Sequence, residues 1–335
     1  MKHLNLFEIS PINIDTSKFT HVLHDEGVED FERVFANFVG AKYACGFSSA
    51  SMAIYVALSK FTIKGEVVKI PSMIPPVVPN AVFHANRKIE FYDDVQWVGG
   101  NYSLHRTGWK GKPMNIIDSA QEVRRNQYSE NAKDQDIMIF SFYPTKPVGG
   151  LDGGMVVTDS KEVYELMKSS VMYGMAYSKN SWDREVLFPG WKGYLSSVQA
   201  YAARQSFDTL EERQEQLESI KKKYRVAFAE KNLLPFENPG SHLFRIAVGS
   251  NEKFIAHMRN QGVICGIHYS ALHDSRIYSK MCRTKKECGA SSFYQKKTVS
   301  IPFHHKLKSF QQEYIIDLVS EWADSSRQPE TLHDY

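Results

Sequence analysis

The stretch IMIFSFYPTKPVGGLDGGMVVTD occupies residues 137–159. Two short apolar runs flank a segment of proline and glycine, and Lys146 lies alone in that segment. Short apolar runs with such boundaries are typical of strands in a buried sheet. A partly desolvated lysine has a lowered pKa and becomes an amine nucleophile, although a lone loop lysine is usually solvated. Lys146 therefore needs chemical partners before it indicates a function.

Strands and helices alternate on the N-terminal side of this stretch. Apolar residues at helical spacing predict a helix at 28–40 that ends on a glycine. Similar patterns predict helices at 51–61 and 80–86. Short runs rich in β-branched residues predict strands at 42–49, 66–72, 87–94, 114–118, 137–142 and 154–159. This alternation indicates an α/β domain with a mostly parallel, buried sheet.

The C-terminal part of the chain has a different organisation. A long polar helix with an apolar stripe is predicted at 196–231. Its basic KKKYR segment is interpreted as a solvated helix face, not as a nucleic-acid patch, because acidic residues lie next to it. A small α+β pattern follows. We therefore predict a large domain at 1–205 and a small C-terminal domain at 206–335, with a frayed tail after about residue 325.

The composition is ordinary for a soluble globular protein. Of 335 residues, 42% are hydrophobic and 24% charged, and 41 basic against 38 acidic side chains give a net charge of +3. This balance gives no reason to expect nucleic acid as a partner. We find no signal peptide and no apolar run of membrane-spanning length, and we expect a cytoplasmic protein without a membrane partner. Four cysteines without a paired pattern predict free thiols, and no Cys/His spacing predicts a metal site.

Polar residues follow several apolar runs, at the carboxyl ends of strands, where ligands collect in open α/β sheets. A serine-rich turn at 48–51 opens a helix, which makes it either an anion site or a plain serine N-cap. Asp118 ends a buried strand and needs a partner, either structural or a cationic ligand atom. Ser141 ends the strand before Lys146. Together these residues match pyridoxal phosphate, whose phosphate needs donors, whose ring nitrogen needs a carboxylate and whose aldehyde needs an amine.

At these positions the sequence resembles the DegT/DnrJ/EryC1/StrS family of sugar aminotransferases, which are pyridoxal-phosphate enzymes of fold type I, the aspartate-aminotransferase fold. The resemblance extends over nearly the whole chain. It is most specific in FSFYPTKPVGGLDGGMVVT, which is similar to the family's lysine motif. IIDSAQ resembles its Asp-x-Ala-His/Gln element, and GVICGIHY and VSIPFHH resemble its C-terminal motifs. The resemblance implies a large domain with a mixed, mostly parallel sheet flanked by helices, and a smaller α+β domain.

Three residues receive roles at the ring of the cofactor from this resemblance. Lys146 is expected to form the Schiff base with pyridoxal 5′-phosphate and later to carry the proton. Asp118 is expected to pair with the pyridinium nitrogen, and Gln121 to lie close to the ring near its hydroxyl.

Four further residues receive roles at the cofactor's phosphate. Ser141 is expected to hydrogen-bond it, and Ala50, through its backbone, and Ser51, through its hydroxyl, to form the phosphate turn. The segment GWKGYLSSVQAYAA resembles the one that reaches the neighbouring subunit, so Lys192 is expected to enter the partner's site in a homodimer.

The sequence departs from the family pattern at three places. Ala50 stands where the family often has glycine, and the usual arginine of the subunit-crossing segment is Tyr194. The aromatic residue expected to stack on the cofactor falls on Pro75, so its stacking energy is lost.

The resemblance implies transfer of an amino group from L-glutamate to a nucleotide-linked keto-deoxysugar, with the keto group at carbon 3 or 4, for surface polysaccharides or glycoconjugates. The Lys, Arg and His residues of the 176–194 loop and of GIHYS are among the candidates for binding the nucleotide diphosphate. A sugar dehydratase of the same family, which carries histidine in place of Lys146, is a competing hypothesis. So are a non-catalytic sensor or scaffold with the same fold, and a metal enzyme using the histidines at 268, 304 and 305.

Overall fold

A mixed five-stranded sheet forms the centre of the first half of the chain in the computed structural model, which describes residues 3–9, 11–21, 23–176, 185–282 and 288–325. The helices are α1 (Glu26–Val39), α2 (Ala50–Phe61), α3 (Val77–His84), α4 (Gln127–Asn131), α5 (Lys161–Val171), α6 (Ser197–Phe207), α7 (Leu210–Phe228), α8 (Asn251–Asn260), α9 (Tyr278–Met281), α10 (Gly289–Tyr294) and α11 (Ser309–Ser325). The strands are β1 (Tyr43–Phe47), β2 (Val67–Pro71), β3 (Lys88–Tyr92), β4 (Tyr102–Trp109), β5 (Lys112–Asp118), β6 (Ile137–Ser141), β7 (Gly154–Thr158), β8 (Phe244–Ala247) and β9 (Thr298–Ile301). Among the described residues, every helix is too short or too polar to traverse a lipid bilayer.

The α/β fold class is confirmed, but the central sheet is less parallel than the sequence suggested. Its strand order is β1-β7-β6-β5-β4, and only the β5–β6 pair is parallel. Strands β2 and β3 form a separate parallel pair. One cause is the unpredicted β4, which reverses into β5 through Lys110 and Gly111, both with positive φ. Positive φ at both central residues is the geometry of a tight hairpin turn, which makes the neighbouring strand antiparallel.

The prediction of one long helix at 196–231 is wrong in one respect, because the structure has two helices there, α6 and α7. The break lies at Asp208 and Thr209, whose side chains compete for local hydrogen bonds and disfavour helix interiors. Arg204 donates to Asp208 Oδ1 at 2.6 Å, and the Arg213 guanidinium bonds the carbonyl of Ser206 at 2.5 Å. These contacts fix the corner between the two helices.

Apolar side chains cover both faces of the central sheet. Helix α1 ends where the sequence predicted, with Gly40 as a left-handed C-cap, and packs Phe31 and Phe35 on one face. Phe35 meets Phe140 edge to face at 5.0 Å between ring centroids. Helices α2, α3 and α5 cover the other face. The sheet is thus buried from both sides, and its strand ends are fixed in place.

A separate apolar core joins α7, α8, α11, β8 and β9 in the C-terminal part of the chain. The N-terminal segment also reaches this core. Leu4 N–H donates to the carbonyl of Gly262 and its carbonyl accepts from Ile264, both at 2.8 Å. The division into domains at 1–205 and 206–335 stays a prediction. Leu4, which belongs to the first predicted domain, is hydrogen-bonded to residues of the second. The tail predicted after residue 325 lies outside the described residues.

A buried ion pair ties α1 to α5. Lys168 Nζ contacts both carboxylate oxygens of Glu32 at 2.7 Å, with side chains 4% and 6% exposed. Burial alone would lower the pKa of Lys168, but the Glu32 charge raises this pKa above its ordinary value. Glu32 Oε1 also accepts from Gly46 N–H at 2.7 Å, near the end of β1. The pair therefore anchors the strand that leads into the serine turn.

We expect Glu32→Gln to lower the free energy of unfolding by about 3–5 kcal/mol, because a buried lysine loses the carboxylate that compensates its charge. Urea unfolding of the purified protein measures it. The matched control is Glu162→Gln, whose exposed carboxylate pairs with Lys110 and should cost less than about 1 kcal/mol. An equal, small loss in both variants would contradict the prediction.

Candidate active site

The carboxyl ends of β5 and β6 and the start of α2 meet at a cavity of about 510 Å³. This volume is in the range of small-ligand sites. Six of the seven residues selected from the sequence line it, namely Ala50, Ser51, Asp118, Gln121, Ser141 and Lys146. The fold thus brings to one place residues that are almost 100 positions apart in the chain.

Asp118 is a buried carboxylate on the wall of this cavity. Tyr102 Oη donates to its Oδ2 at 2.8 Å, and the N–H of Ala120 donates to its Oδ1 at 2.9 Å. Burial raises the pKa of Asp118 above its ordinary value, while these two donors and the charge of Lys146 act against that rise. A cationic atom placed in the cavity would offset the desolvation of this carboxylate.

Lys146 lies in a tight turn between β6 and β7. Its N–H donates to the carbonyl of Tyr143 at 2.8 Å. A Cβ at Gly149 would lie 2.3 Å from the carbonyl oxygen of Pro144, so only glycine lets the turn close. Burial lowers the pKa of Lys146 to about 8, and the Asp118 charge opposes this change. Gly149 thus permits the turn that contains the Lys146 amine, and burial lowers the pKa of that amine.

The start of α2 and the end of β6 form the polar end of the cavity. Ser49 is the helix N-cap and accepts from the N–H of Met52 at 3.2 Å, as the N-cap interpretation of the serine turn expected. A Cβ at Gly154 would lie 2.7 Å from the nitrogen of Ala50, so glycine permits this close approach of helix and sheet. Ser141 lines the cavity beside the positive end of the α2 dipole. This end suits an anion.

Sequence reasoning missed the aromatic wall near Asp118. Trp97 and Tyr269 line the cavity with nearly parallel rings, 6.3 Å between centroids. Gln121 Nε2 donates to Tyr269 Oη at 3.1 Å, and its Oε1 accepts from the N–H of Gly99 at 2.9 Å. Trp97 follows no motif, whereas Tyr269 belongs to the GIHYS segment. Pro75 also lines the cavity, in agreement with its alignment near the cofactor.

Lys192 is exposed and does not line the cavity of its own chain. Its segment runs beside the serine turn, where the N–H of Ser48 donates to the carbonyl of Gly193 at 2.7 Å and Phe47 bridges to Tyr194. The role of Lys192 in a partner's site stays a prediction. The loop at 176–194 includes residues 177–184, which lie outside the described residues.

The residues present fit pyridoxal 5′-phosphate. Donors for a phosphate, a buried carboxylate for a cationic ring nitrogen and a lysine with lowered pKa line one cavity. Within the described ranges no cluster of three His, Cys, Asp or Glu side chains suits a metal ion. His268 lines the main cavity, and its Nδ1 lies 2.8 Å from Ser300 Oγ, while His304 and His305 line a smaller one.

In the cofactor-free protein we expect Lys146 to react with amine reagents at pH 8 much faster than Lys168. A group with a pKa of about 8 is half neutral there, whereas an ordinary lysine is less than roughly 1% neutral. Reductive methylation followed by peptide mass spectrometry measures both sites in one sample. Lys168 is the matched buried control because Glu32 raises its pKa. Equal labelling of the two lysines would refute the lowered pKa.

Sequence comparison agrees with this geometry. A profile of the DegT/DnrJ/EryC1/StrS aminotransferase family matches residues 14–96 and 117–320. The chain is 25% identical over 357 aligned positions to the UDP-4-amino-4,6-dideoxy-N-acetyl-beta-L-altrosamine transaminase of Campylobacter jejuni subsp. jejuni serotype O:2, covering 91% of this chain and 94% of that protein.

Solved structures share the fold. Helicobacter pylori PseC, an aminotransferase involved in the biosynthesis of pseudoaminic acid, superposes with a TM-score of 0.78 at 18% identity and covers 97% of this chain and 100% of its own. Spr1654 from Streptococcus pneumoniae in its PLP-form gives a TM-score of 0.75 at 14% identity, and the match covers 96% of this chain and 99% of that one. At these identities the similarity shows the fold alone.

Proposed function

Because the chain belongs to the DegT/DnrJ/EryC1/StrS aminotransferase family, we propose that it uses pyridoxal 5′-phosphate to move an amino group from L-glutamate to a nucleotide-linked keto-deoxysugar. This proposal rests on the placement of the Lys146 amine and the Asp118 carboxylate on one cavity. The Campylobacter relative, which is named for a UDP-linked amino sugar, supports a nucleotide-sugar substrate.

The residues of the cavity divide the work of holding the cofactor. The start of α2, with Ala50 and Ser51, and the hydroxyl of Ser141 would bind the phosphate. Asp118 would hold a proton on the ring nitrogen through its buried carboxylate, which Tyr102 and the N–H of Ala120 keep in place. When bound, the cofactor supplies an electron sink for the carbon that loses its proton.

Lys146 is the residue that moves protons in this proposal. Its amine takes a proton from the α-carbon of the amino donor and returns one at the next step. An acid–base group works best with a pKa near the working pH, and the pKa of about 8 places Lys146 there. Trp97 and Tyr269 form the apolar side of the cavity and exclude water from the reacting carbon.

The family's dehydratase reaction, for which histidine replaces the lysine, is disfavoured by Lys146 itself. A sensor or scaffold would have no need for an amine of lowered pKa on the same cavity as a buried carboxylate. The homodimer with Lys192 in the partner's site, the role in surface polysaccharide or glycoconjugate synthesis and the cytoplasmic location accompany this proposal as predictions.

A panel of nucleotide-linked 3-keto and 4-keto deoxysugars tests the proposed function. Each is incubated with the holoprotein and L-glutamate labelled with ¹⁵N at the amino group, and products are read by mass spectrometry. We expect the label in the amine of at least one sugar, and far less label with Lys146→Ala. A panel in which no sugar acquires the label would contradict the proposed substrate class.

A further inference from the structure

His242 is a buried histidine next to Lys146 to which the mechanism above gives no part. It comes from the segment before β8, 96 positions away in the chain, and its Nε2 lies 3.5 Å from Lys146 Nζ. This distance is longer than an ordinary hydrogen bond, as catalytic contacts often are before ligands bind. The contact joins the lysine turn to the C-terminal core.

The N-terminal segment fixes the imidazole plane of His242. Phe7 stacks on this ring with centroids 5.4 Å apart and 16° between planes. Phe7 is held in turn, because its neighbour Leu6 accepts from the N–H of Phe303 and Leu4 pairs with Val263. A ring clamped in this way presents one edge to the lysine and has little freedom to turn away.

Lys146 and His242 form part of a partition between two cavities. Both side chains, with Phe7 and Thr145, line the main cavity and also a smaller one of about 60 Å³. The smaller cavity has polar side chains, among them Arg213. When the Lys146 amine is released from a ligand in the main cavity, it therefore lies next to Nε2 of His242 between the two cavities.

We propose that His242 is a positioning residue for Lys146, with Nε2 accepting a hydrogen bond from the lysine amine whenever that amine is not bonded to the cofactor. The contact holds the amine at the cavity wall between its two proton transfers, and this part of the inference rests on the proposed function. A neutral imidazole nitrogen accepts from both the ammonium and the neutral amine, so the hold survives each change of protonation.

The charges around the pair agree with this arrangement. Burial, the charge of Lys146 and His268 lower the pKa of His242 well below its ordinary value, which keeps the ring neutral. Burial and the charge of Lys146 also lower the pKa of His268, to about 4. Asp118 is the negative group that acts on Lys146. His242 is thus a neutral acceptor beside the amine of Lys146.

The test compares His242→Phe, which keeps a ring against Phe7 but loses the acceptor, with His242→Gln, which keeps an acceptor. Circular dichroism and the unfolding midpoint establish that both variants fold. In the cofactor-free proteins, the pH dependence of reductive methylation gives the pKa of Lys146. Because a hydrogen bond to a charged group is lost, we expect His242→Phe to lower it by about one unit. His242→Gln is expected to stay near the wild type. An unchanged pKa in His242→Phe would overturn the proposal.

A second readout concerns turnover. With the holoprotein, we expect His242→Phe to lower kcat about tenfold with little change in the KM for L-glutamate, and His242→Gln to recover part of the loss. An unaltered kcat in His242→Phe, or a loss confined to KM, would contradict the positioning role. The lysine pKa is measured without cofactor or substrate, so a failure of the proposed function leaves that result intact.

Discussion

Lys146→Ala is expected to lower turnover by roughly 10³- to 10⁴-fold, the upper range for a lost general acid–base group. The structure places this amine on the cavity that holds Asp118 and Ser141. His242, whose Nε2 lies 3.5 Å from Lys146 Nζ, has a pKa well below its ordinary value and is a weak base in place of the lysine. The measurement is transfer of ¹⁵N from L-glutamate in single turnovers.

The matched control for Lys146→Ala is Lys110→Ala, which removes an exposed lysine that pairs with Glu162. It should leave turnover within about twofold, since exposed ion pairs contribute little. Small primary amines added to Lys146→Ala should restore part of the rate, because the cavity created by the truncation lies beside the reacting atoms. A Lys146→Ala protein that retains a tenth or more of its turnover would refute the assigned role.

Asp118→Asn is expected to lower turnover by on the order of 10²–10³-fold, comparable to the loss of one buried group that stabilises charge in the transition state. Asparagine keeps one acceptor oxygen for the N–H of Ala120, and the hydroxyl of Tyr102 can rotate to accept from the side-chain NH₂, so the local geometry should persist. It cannot hold a proton on a ring nitrogen by charge. Cofactor should still bind through Lys146 and the phosphate end. Near-normal turnover in Asp118→Asn would contradict the role of the carboxylate.

In the cofactor-free protein, Asp118→Asn is expected to maintain or raise the free energy of unfolding. Burial raises the pKa of Asp118 in the folded state, so the neutral carboxyl group contributes to stability at pH values below the unfolded-state pKa. This contribution is lost as the pH rises through the folded-state pKa. At pH 7 the free energy of unfolding of Asp118→Asn should therefore equal or exceed that of the wild type. The difference should shrink as the pH approaches 3.8, the ordinary value. Thermal unfolding across this pH range measures it.

The cavity-lining residues that the sequence predicted lie at the ends of strands or just after them, where the position along a strand determines the location in the fold. Asp118 and Ser141 end the adjacent parallel strands β5 and β6, so the apolar pattern alone brings them to one edge. Lys146 follows in a turn whose closure depends on Gly149. For these residues, local periodicity and the strand-end rule contained enough information.

The residues that sequence reasoning missed owe their place to contacts between distant segments. His242 meets Lys146 across 96 positions, and Tyr269 meets Gln121 across 148. No local pattern records such pairs. Strand β4 was missed for a different reason: its buried Tyr102 and Leu104 alternate with polar residues over too short a run to stand out. The helix predicted at 196–231 was too long because apolar periodicity does not register the side chain of Asp208, which competes for backbone hydrogen bonds at the break between α6 and α7.

Reduction of the cofactor-loaded protein identifies the lysine that binds pyridoxal 5′-phosphate. The purified protein is incubated with pyridoxal 5′-phosphate, reduced with borohydride, digested and mapped by mass spectrometry. We predict a visible absorbance band that borohydride removes, and the mass of the reduced cofactor on the peptide that contains Lys146. A protein that stays colourless, or one that carries the label on another lysine such as Lys192, would contradict the account.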